Sequence, residues 1–245
     1  MVDLAVRWWA LLLALQFLVA CGGLTWPPDT WVDGGRRPGA DDPWRIPGDS
    51  FPTQRLYRVK YTGPEGRAGF KLTLYLPTAA AYRMAAADSL GRKLWSLQVE
   101  ESGRAVWLDH RSKEFCEARG AEQLLLVPLA HLPLAALPRL LLGRMPAEPV
   151  ANLVRAADQV SYLDARGQRW SGVLRDGELA WWSLEEDGEA VAWWRRDGDG
   201  GSFADPRASL EVRWQETVRE ALRQPLAELQ IPPRFREGAC GRTAS

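Results

Sequence analysis

Residues 81–115 read AYRMAAADSLGRKLWSLQVEESGRAVWLDHRSKEF, and their periodicity decides the fold class. Apolar side chains recur at alternate positions on both sides of two turn signals, Leu90-Gly91 and Ser102-Gly103. A period of two is what a β-strand with one buried face requires. Centring one hairpin on Leu90-Gly91 sets Met84 opposite Leu97, Ala86 opposite Trp95 and Asp88 opposite Lys93. Centring the next on Ser102-Gly103 sets Val99 opposite Val106 and Leu97 opposite Leu108. A slip of one residue throws an apolar set onto the other face, so turn and pattern constrain each other.

The same texture extends in both directions. Upstream, a turn at 64–67 sets Tyr61 opposite Phe70, Val59 opposite Leu72 and Tyr57 opposite Leu74, leaving Arg58, Lys60, Lys71 and Arg83 on the far side. Strand-like runs fall at 55–62, 69–76, 81–88, 93–101, 104–110 and 113–118, then at 159–164, 168–175, 178–186, 189–196 and 208–214. Between the two groups, residues 129–146 (LAHLPLAALPRLLLGRMP) are apolar and proline-punctuated, with helical character. A large one-sided apolar sheet has to be covered, and this is the one sizeable apolar segment outside the strands. The expectation is a mainly β (α+β) chain: a curved antiparallel half-barrel of about eleven strands, with short helices covering its concave face over an apolar pocket. The tail after Trp214 reads as either helical or extended.

The amino-terminal residues 1–22, MVDLAVRWWALLLALQFLVACG, have a short start whose positive charge comes from Arg7 and the amino terminus, with Asp3 an unusual acid there. The apolar run 8–20 is interrupted only by Gln16 and is shorter than the ~20 residues of a membrane span. It ends in Leu18-Val19-Ala20-Cys21, which resembles the bacterial lipobox. That resemblance implies a lipoprotein signal peptide over residues 1–20 and a covalent diacylglyceryl and N-acyl lipid (palmitate-type chains) at Cys21, with no other cofactor. Gly22 is not the aspartate that retains many lipoproteins at the inner membrane, which implies the cell outer membrane, facing the periplasm. Residues 21–50 are rich in Pro, Gly and Asp and read as a lipidated flexible tether. Trp26, Trp31 and Trp44 within it rest either on the body or in the lipid interface. Residues 51–245 form the body.

Thirty-one basic residues balance thirty-one acidic ones, so there is no electrostatic case for nucleic acid. His110, placed by the register near Trp95 on the apolar face, and His131, in the greasy segment, read as structural histidines. No GxSxG, HExxH or Gly-rich phosphate loop is present. No catalytic residue and no metal site is assigned, and Glu185-Glu186-Asp187 and Asp197-Gly-Asp-Gly-Gly read as acidic turns. Cys116 and Cys240 are a candidate disulfide pair in an oxidising compartment, their pairing left open by the spacing. Of thirteen tryptophans, four form the doublets Trp181-Trp182 and Trp193-Trp194. A turn at Asp187-Gly188 sets Trp182 opposite Trp193 and Trp181 opposite Trp194, one pair on each face.

The opening stretch, and LAALPRLLLGRMPAEP at 134–149, resemble the LolA/LolB-like family of outer-membrane lipoproteins and carriers, and within it the LolB-like receptors. The likeness spans roughly residues 52–215; the Trp-rich third quarter and the long tail depart from it. It implies an eleven-stranded half-barrel under helices, and a protruding membrane-delivery leucine at Leu90, followed by Gly91. It also implies a protein that binds acyl chains and accepts lipoproteins or lipids from a soluble periplasmic carrier for insertion at the membrane. A lipid-anchored monomer with no enzymatic activity is expected. The acyl-chain wall would comprise Tyr57, Val59, Tyr61, Phe70, Leu72, Leu74, Met84, Trp95, Leu97, Val99, Val106 and Leu108, with Trp182 and Trp193. A non-transporting interaction or sensor lipoprotein of the same fold is the alternative.

Overall fold

The computed structural model describes residues 42–46, 50–64, 66–119, 136–176 and 178–238. The signal segment, Cys21, Trp26, Trp31, residues 129–135 with His131, and Cys240 lie outside the described residues.

One open, curved sheet carries the chain. Its strands are β1 (Thr53–Gly63), β2 (Gly66–Leu76), β3 (Tyr82–Ala87), β4 (Lys93–Val99), β5 (Ala105–Asp109) and β6 (Glu114–Ala118). After helix α1 (Ala136–Leu141) come β7 (Ala151–Ala156), β8 (Gln159–Leu163), β9 (Arg169–Arg175), β10 (Glu178–Glu186), β11 (Glu189–Asp197), β12 (Gly200–Asp205), β13 (Leu210–Ala221) and β14 (Arg236–Glu237). Two meanders, β1 to β6 and β7 to β13, are joined edge to edge through β1 and β13; β14 adds in parallel beside β6. Among the described residues there are fourteen strands against the about eleven expected, the additions being β7, β12 and β14. The tail is extended: β13 continues to Ala221 along the whole of β1.

Alternation is what makes these strands. In β1, buried Arg55, Tyr57 and Val59 interleave with exposed Arg58 and Lys60, so one face enters the core and the other meets water. The β3–β4 register is as the sequence predicts, Met84 against Leu97 and Ala86 against Trp95. A bulge at Ala86/Ala87 then sets Lys93 opposite Ala87, not Asp88. In β1–β2 the turn closes between Gly63 and Gly66, so Tyr57 opposes Leu72 and Val59 opposes Phe70. The expected register was two residues out, which leaves every side chain on its predicted face.

The β4–β5 hairpin corrects a more consequential expectation. Its loop has three residues, closed by Glu100 N–H to the Arg104 carbonyl at 2.9 Å, with Gly103 at φ +85°. A left-handed glycine at the end of a three-residue loop moves the register by one relative to a two-residue turn. Val99 therefore opposes Ala105, and Leu97 opposes Trp107. Val106 and Leu108, expected on the acyl-chain wall, lie on the outer face in a separate cluster with Phe235, Phe115, Leu229 and Ile231. His110 goes with them: its Nε2 is 3.0 Å from Ser96 Oγ and its ring stands edge-on to Phe235.

The carboxy-terminal segment is the strap that buries this outer cluster. Arg83 donates to the Ala227 carbonyl, and Arg104 bridges Glu100, Glu117 and Glu228. Beyond β14, Gly238 N–H donates to the Phe115 carbonyl at 2.8 Å. Cys116 is disulfide-bonded, and its only possible partners in the sequence are Cys21 and Cys240. Gly238, held beside Cys116, stands two positions before Cys240, so non-reducing peptide mapping is expected to return a Cys116–Cys240 peptide. A Cys116–Cys21 peptide, or free thiol at Cys240, would refute that pairing.

Candidate functional site

The candidate site is the inner face of the sheet with α1 upon it. The helix ends in a Schellman arrangement: Gly143 N–H to the Leu140 carbonyl at 3.2 Å and Arg144 N–H to the Arg139 carbonyl at 2.7 Å. Gly143 has φ +67°, and a Cβ there would stand 3.3 Å from the Trp194 ring and 2.9 Å from Arg196. Positive φ and close approach together explain the glycine that ends the Leu-Leu-Leu run. Ala136, Leu137, Pro138 and Leu140 are buried, and Leu137 and Leu140 belong to the core of the sheet's inner face. Arg139 acts on both Tyr82 of β3 and Tyr162 of β8, opposing the rise that burial imposes on each hydroxyl. Strands far apart in the sheet order thus converge on one helix.

Seven of the residues expected to form the wall share one core with α1. Tyr57, Val59, Leu72, Leu74, Met84, Leu97 and Val99 are buried in the core that contains Leu137 and Leu140. Tyr61, Phe70 and Trp95 pack on it half-buried. Trp107, which the sequence register had turned outward, joins them and stacks on Trp95 at 4.8 Å. Toward the 63–66 and 88–92 turns the inward residues Tyr61 and Trp95 are half-buried, and in β2 burial falls from Leu72 through Phe70 to the exposed Ala68. The inner face is therefore least buried at that end of the strands.

The tryptophan doublets needed correction. A bulge between Leu184 and Glu185 shifts the β10–β11 register, so Trp182 opposes Trp194 and Ser183 opposes Trp193. Trp182 and Trp194 face inward, both fully buried; Trp193 and Trp181 are half-buried outside the core cluster. Trp193 leaves the wall and Trp194 takes its place. Trp170, Trp214, Tyr162 and Phe203 complete an aromatic floor, with Trp182 edge-on to Trp170 at 5.2 Å. Trp44 also rests on the body, edge-on to Tyr162 at 5.8 Å, under the Arg155 guanidinium.

Polar groups in this floor differ sharply in how they are satisfied. The Trp170 indole N–H donates to Asp164 at 3.0 Å. The indole N–H groups of Trp182, Trp194 and Trp214 are buried with no hydrogen-bond partner, whereas the Tyr57 hydroxyl lies beside the buried Arg55–Glu216 ion pair. Burial pushes the Tyr57 hydroxyl well above its ordinary range, Glu216 adding and Arg55 opposing. An unsatisfied buried donor costs about 1–3 kcal/mol, and three lie on this inner face.

Leu90 is 77% exposed at the tip of the β3–β4 hairpin. Asp88 organises that tip, accepting from the Leu90 and Arg92 N–H groups at 2.9 Å each and from the Arg92 guanidinium at 2.6 Å. Those bonds, the Arg92 side chain first, hold the Asp88 carboxyl below its usual range. Gly91 takes the left-handed φ of +80°. The leucine is thus presented on an ordered turn. Among the described residues no group of three or more His, Cys, Asp or Glu gathers to hold a metal ion. His110 is held below its ordinary pKa by burial and then by Lys93. The Asp197–Gly201 stretch is not one acidic turn: Gly200 and Gly201 belong to β12, where a Cβ on Gly201 would stand 2.9 Å from Trp214.

No family model and no curated protein sequence matches the chain. Three solved structures resemble it in the course of the chain. A LolA superfamily protein from Nitrosomonas europaea aligns with TM-score 0.48 and 7% identity, over 71% of this chain and 87% of that one. A DUF1329 family protein from Desulfovibrio piger gives 0.46 and 8%, over 71% and 87%. An outer membrane lipoprotein-sorting protein domain from Vibrio parahaemolyticus gives 0.45 and 5%, over 72% and 87%.

Proposed function

We propose that the protein is an outer-membrane-anchored lipoprotein, lipidated at Cys21, that binds acyl chains between the inner face of the sheet and α1. It takes an acylated lipid or lipoprotein from a soluble periplasmic carrier and releases it at the Leu90 end. No covalent chemistry is involved; exchange follows relative affinity for apolar surface. The observation that carries this reading is the set of three indole N–H groups, of Trp182, Trp194 and Trp214, buried without acceptors among the aromatic side chains of the core. The ester or amide carbonyls of an acylated cargo are acceptors that enter such an interior together with hydrocarbon.

The full-length protein, extracted in neutral detergent and denatured for mass spectrometry, is expected to release non-covalent acyl lipid that exchanges with added labelled lipid. The competing reading is an envelope docking or sensor protein whose interior is filled by its own side chains. It draws on the complete burial of Tyr57, Leu74, Met84 and Leu97. Absence of any exchangeable acyl lipid would favour it and remove the carrier role.

A further inference from the structure

On the outer face, β1, β2 and β13 bring together cations that the chain keeps far apart. Arg58 stands directly opposite Lys71, and Lys60 directly opposite Arg213. Like charges paired across neighbouring strands destabilise a sheet, and two such pairs sit side by side here. Arg58, Lys60, Arg67 and Lys71 are exposed and form no ion pair among the described residues. Arg213 engages Glu211 at 2.6 Å. Beside the second pair, at the β1–β2 turn end, lies a cleft of about 520 Å³ whose lining includes Lys60, Tyr61, Arg67, Ala68, Glu211 and Arg213, while Arg58 and Lys71 stand outside it. Gly69 keeps it open: a Cβ there would meet only the Val59 carbonyl, at 3.8 Å. Three cations and one already engaged carboxylate therefore surround a concavity whose unliganded state carries a repulsive cost.

Its place in the fold matters as much as its charge. The 63–66 and 88–92 turns lie at the same end of the sheet, because β1 and β3 run in the same direction through an antiparallel meander. Lys71 and Lys93 both pair with Ala87, the residue before the Asp88 that closes the Leu90 turn. The exposed leucine and the basic cleft thus occupy neighbouring strands at one end of the molecule.

We infer that the cleft at Lys60, Arg67 and Arg213 binds the phosphate headgroup of an anionic phospholipid, seating the Leu90 end on the bilayer. This rests on reading that end as the membrane-facing one. Charge complementarity decides the occupant: a zwitterionic headgroup relieves the Lys60–Arg213 pair and Arg67 far less than a net anion, and the apolar tip on the neighbouring hairpin suits a bilayer.

The test titrates the full-length protein, in neutral detergent, with micelles doped with phosphatidylglycerol or phosphatidylcholine, reading bound lipid by native mass spectrometry. Phosphatidylglycerol is expected to bind at least about tenfold better and to weaken as salt rises. The double variant Lys60→Gln, Arg67→Gln should lose about 25-fold in phosphatidylglycerol binding, at roughly fivefold per cation. Its thermal midpoint should stay level or rise, since a like-charge pair is relieved. Equal binding of the two lipids, or an unchanged preference in the variant, overturns the inference. Competition by millimolar inorganic phosphate as strong as by the lipid would assign the cleft to free phosphate and equally overturn it. Exchangeable acyl lipid, counted on the same samples, reports on the carrier reading separately: its loss leaves the headgroup preference measurable, and the reverse.

Discussion

Trp182→Ala is expected to lower the unfolding free energy by about 3–5 kcal/mol, the cost of emptying a fully buried indole site. Trp182 is fully buried, edge-on to Trp170 at 5.2 Å and tilted against Phe203 at 6.0 Å. Its cross-strand neighbour on β9 is Gly172, which has no side chain to move into the void. The indole N–H has no acceptor, so the loss comes from packing and not from a broken hydrogen bond. Trp193→Ala, on the other face of the neighbouring strand, should cost about 1 kcal/mol, a typical value for a half-buried site. Urea denaturation of both variants measures the difference through the shift in midpoint at constant slope. Equal losses would mean that the bulge between Leu184 and Glu185 is misplaced and that Trp193 shares the interior.

Leu90→Glu should reduce transfer of bound acyl lipid to vesicles by roughly 10- to 150-fold. That range is the factor corresponding to the ~1.5–3 kcal/mol gained when one leucine leaves water. Folding should be unaffected within about 0.5 kcal/mol, as for other exposed positions, because Leu90 makes no core contact. Leu90→Met, which keeps the apolar reach, should transfer at close to the normal rate. The readout is dequenching of a fluorescent acyl lipid passed from the full-length protein to vesicles. Normal transfer by Leu90→Glu would remove the delivery role, whatever the interior binds. On the proposed reading the leucine has no part in anchoring: the lipid chains proposed at Cys21 would contribute about 0.8 kcal/mol per buried methylene, far more than one side chain.

Much of this architecture was legible because alternation is local. Tyr57, Val59, Leu72, Leu74, Met84 and Leu97 declare their face through their own neighbours, and even a two-residue error between β1 and β2 leaves that face unchanged. Leu90 could be singled out for a similar reason, since a hairpin tip has no core within reach. What failed were places where a single residue changes a loop or strand count. One left-handed glycine at Gly103 turned Val106, Leu108 and His110 outward. One bulge exchanged Trp193 for Trp194. β12 was missed because Gly-Gly-Ser resembles a turn; Gly201 is there to admit the Trp194 and Trp214 rings, and Gly200 to admit the Trp214 backbone. The strap was missed because Leu229, Ile231 and Phe235 have no period of their own and take their positions from the outer face they cover.

By itself, then, the chain order of apolar and charged residues determined a one-sided antiparallel sheet, a helix to cover it and an exposed leucine at one hairpin tip. Only the tertiary structure decided which tryptophans line the interior, and that Lys60, Arg67 and Arg213 surround one cleft. The reason is the range of the interactions. Strand alternation is written within a few residues, whereas register depends on backbone angles at single positions, and the pairing of β1 with β13 joins segments some 150 residues apart.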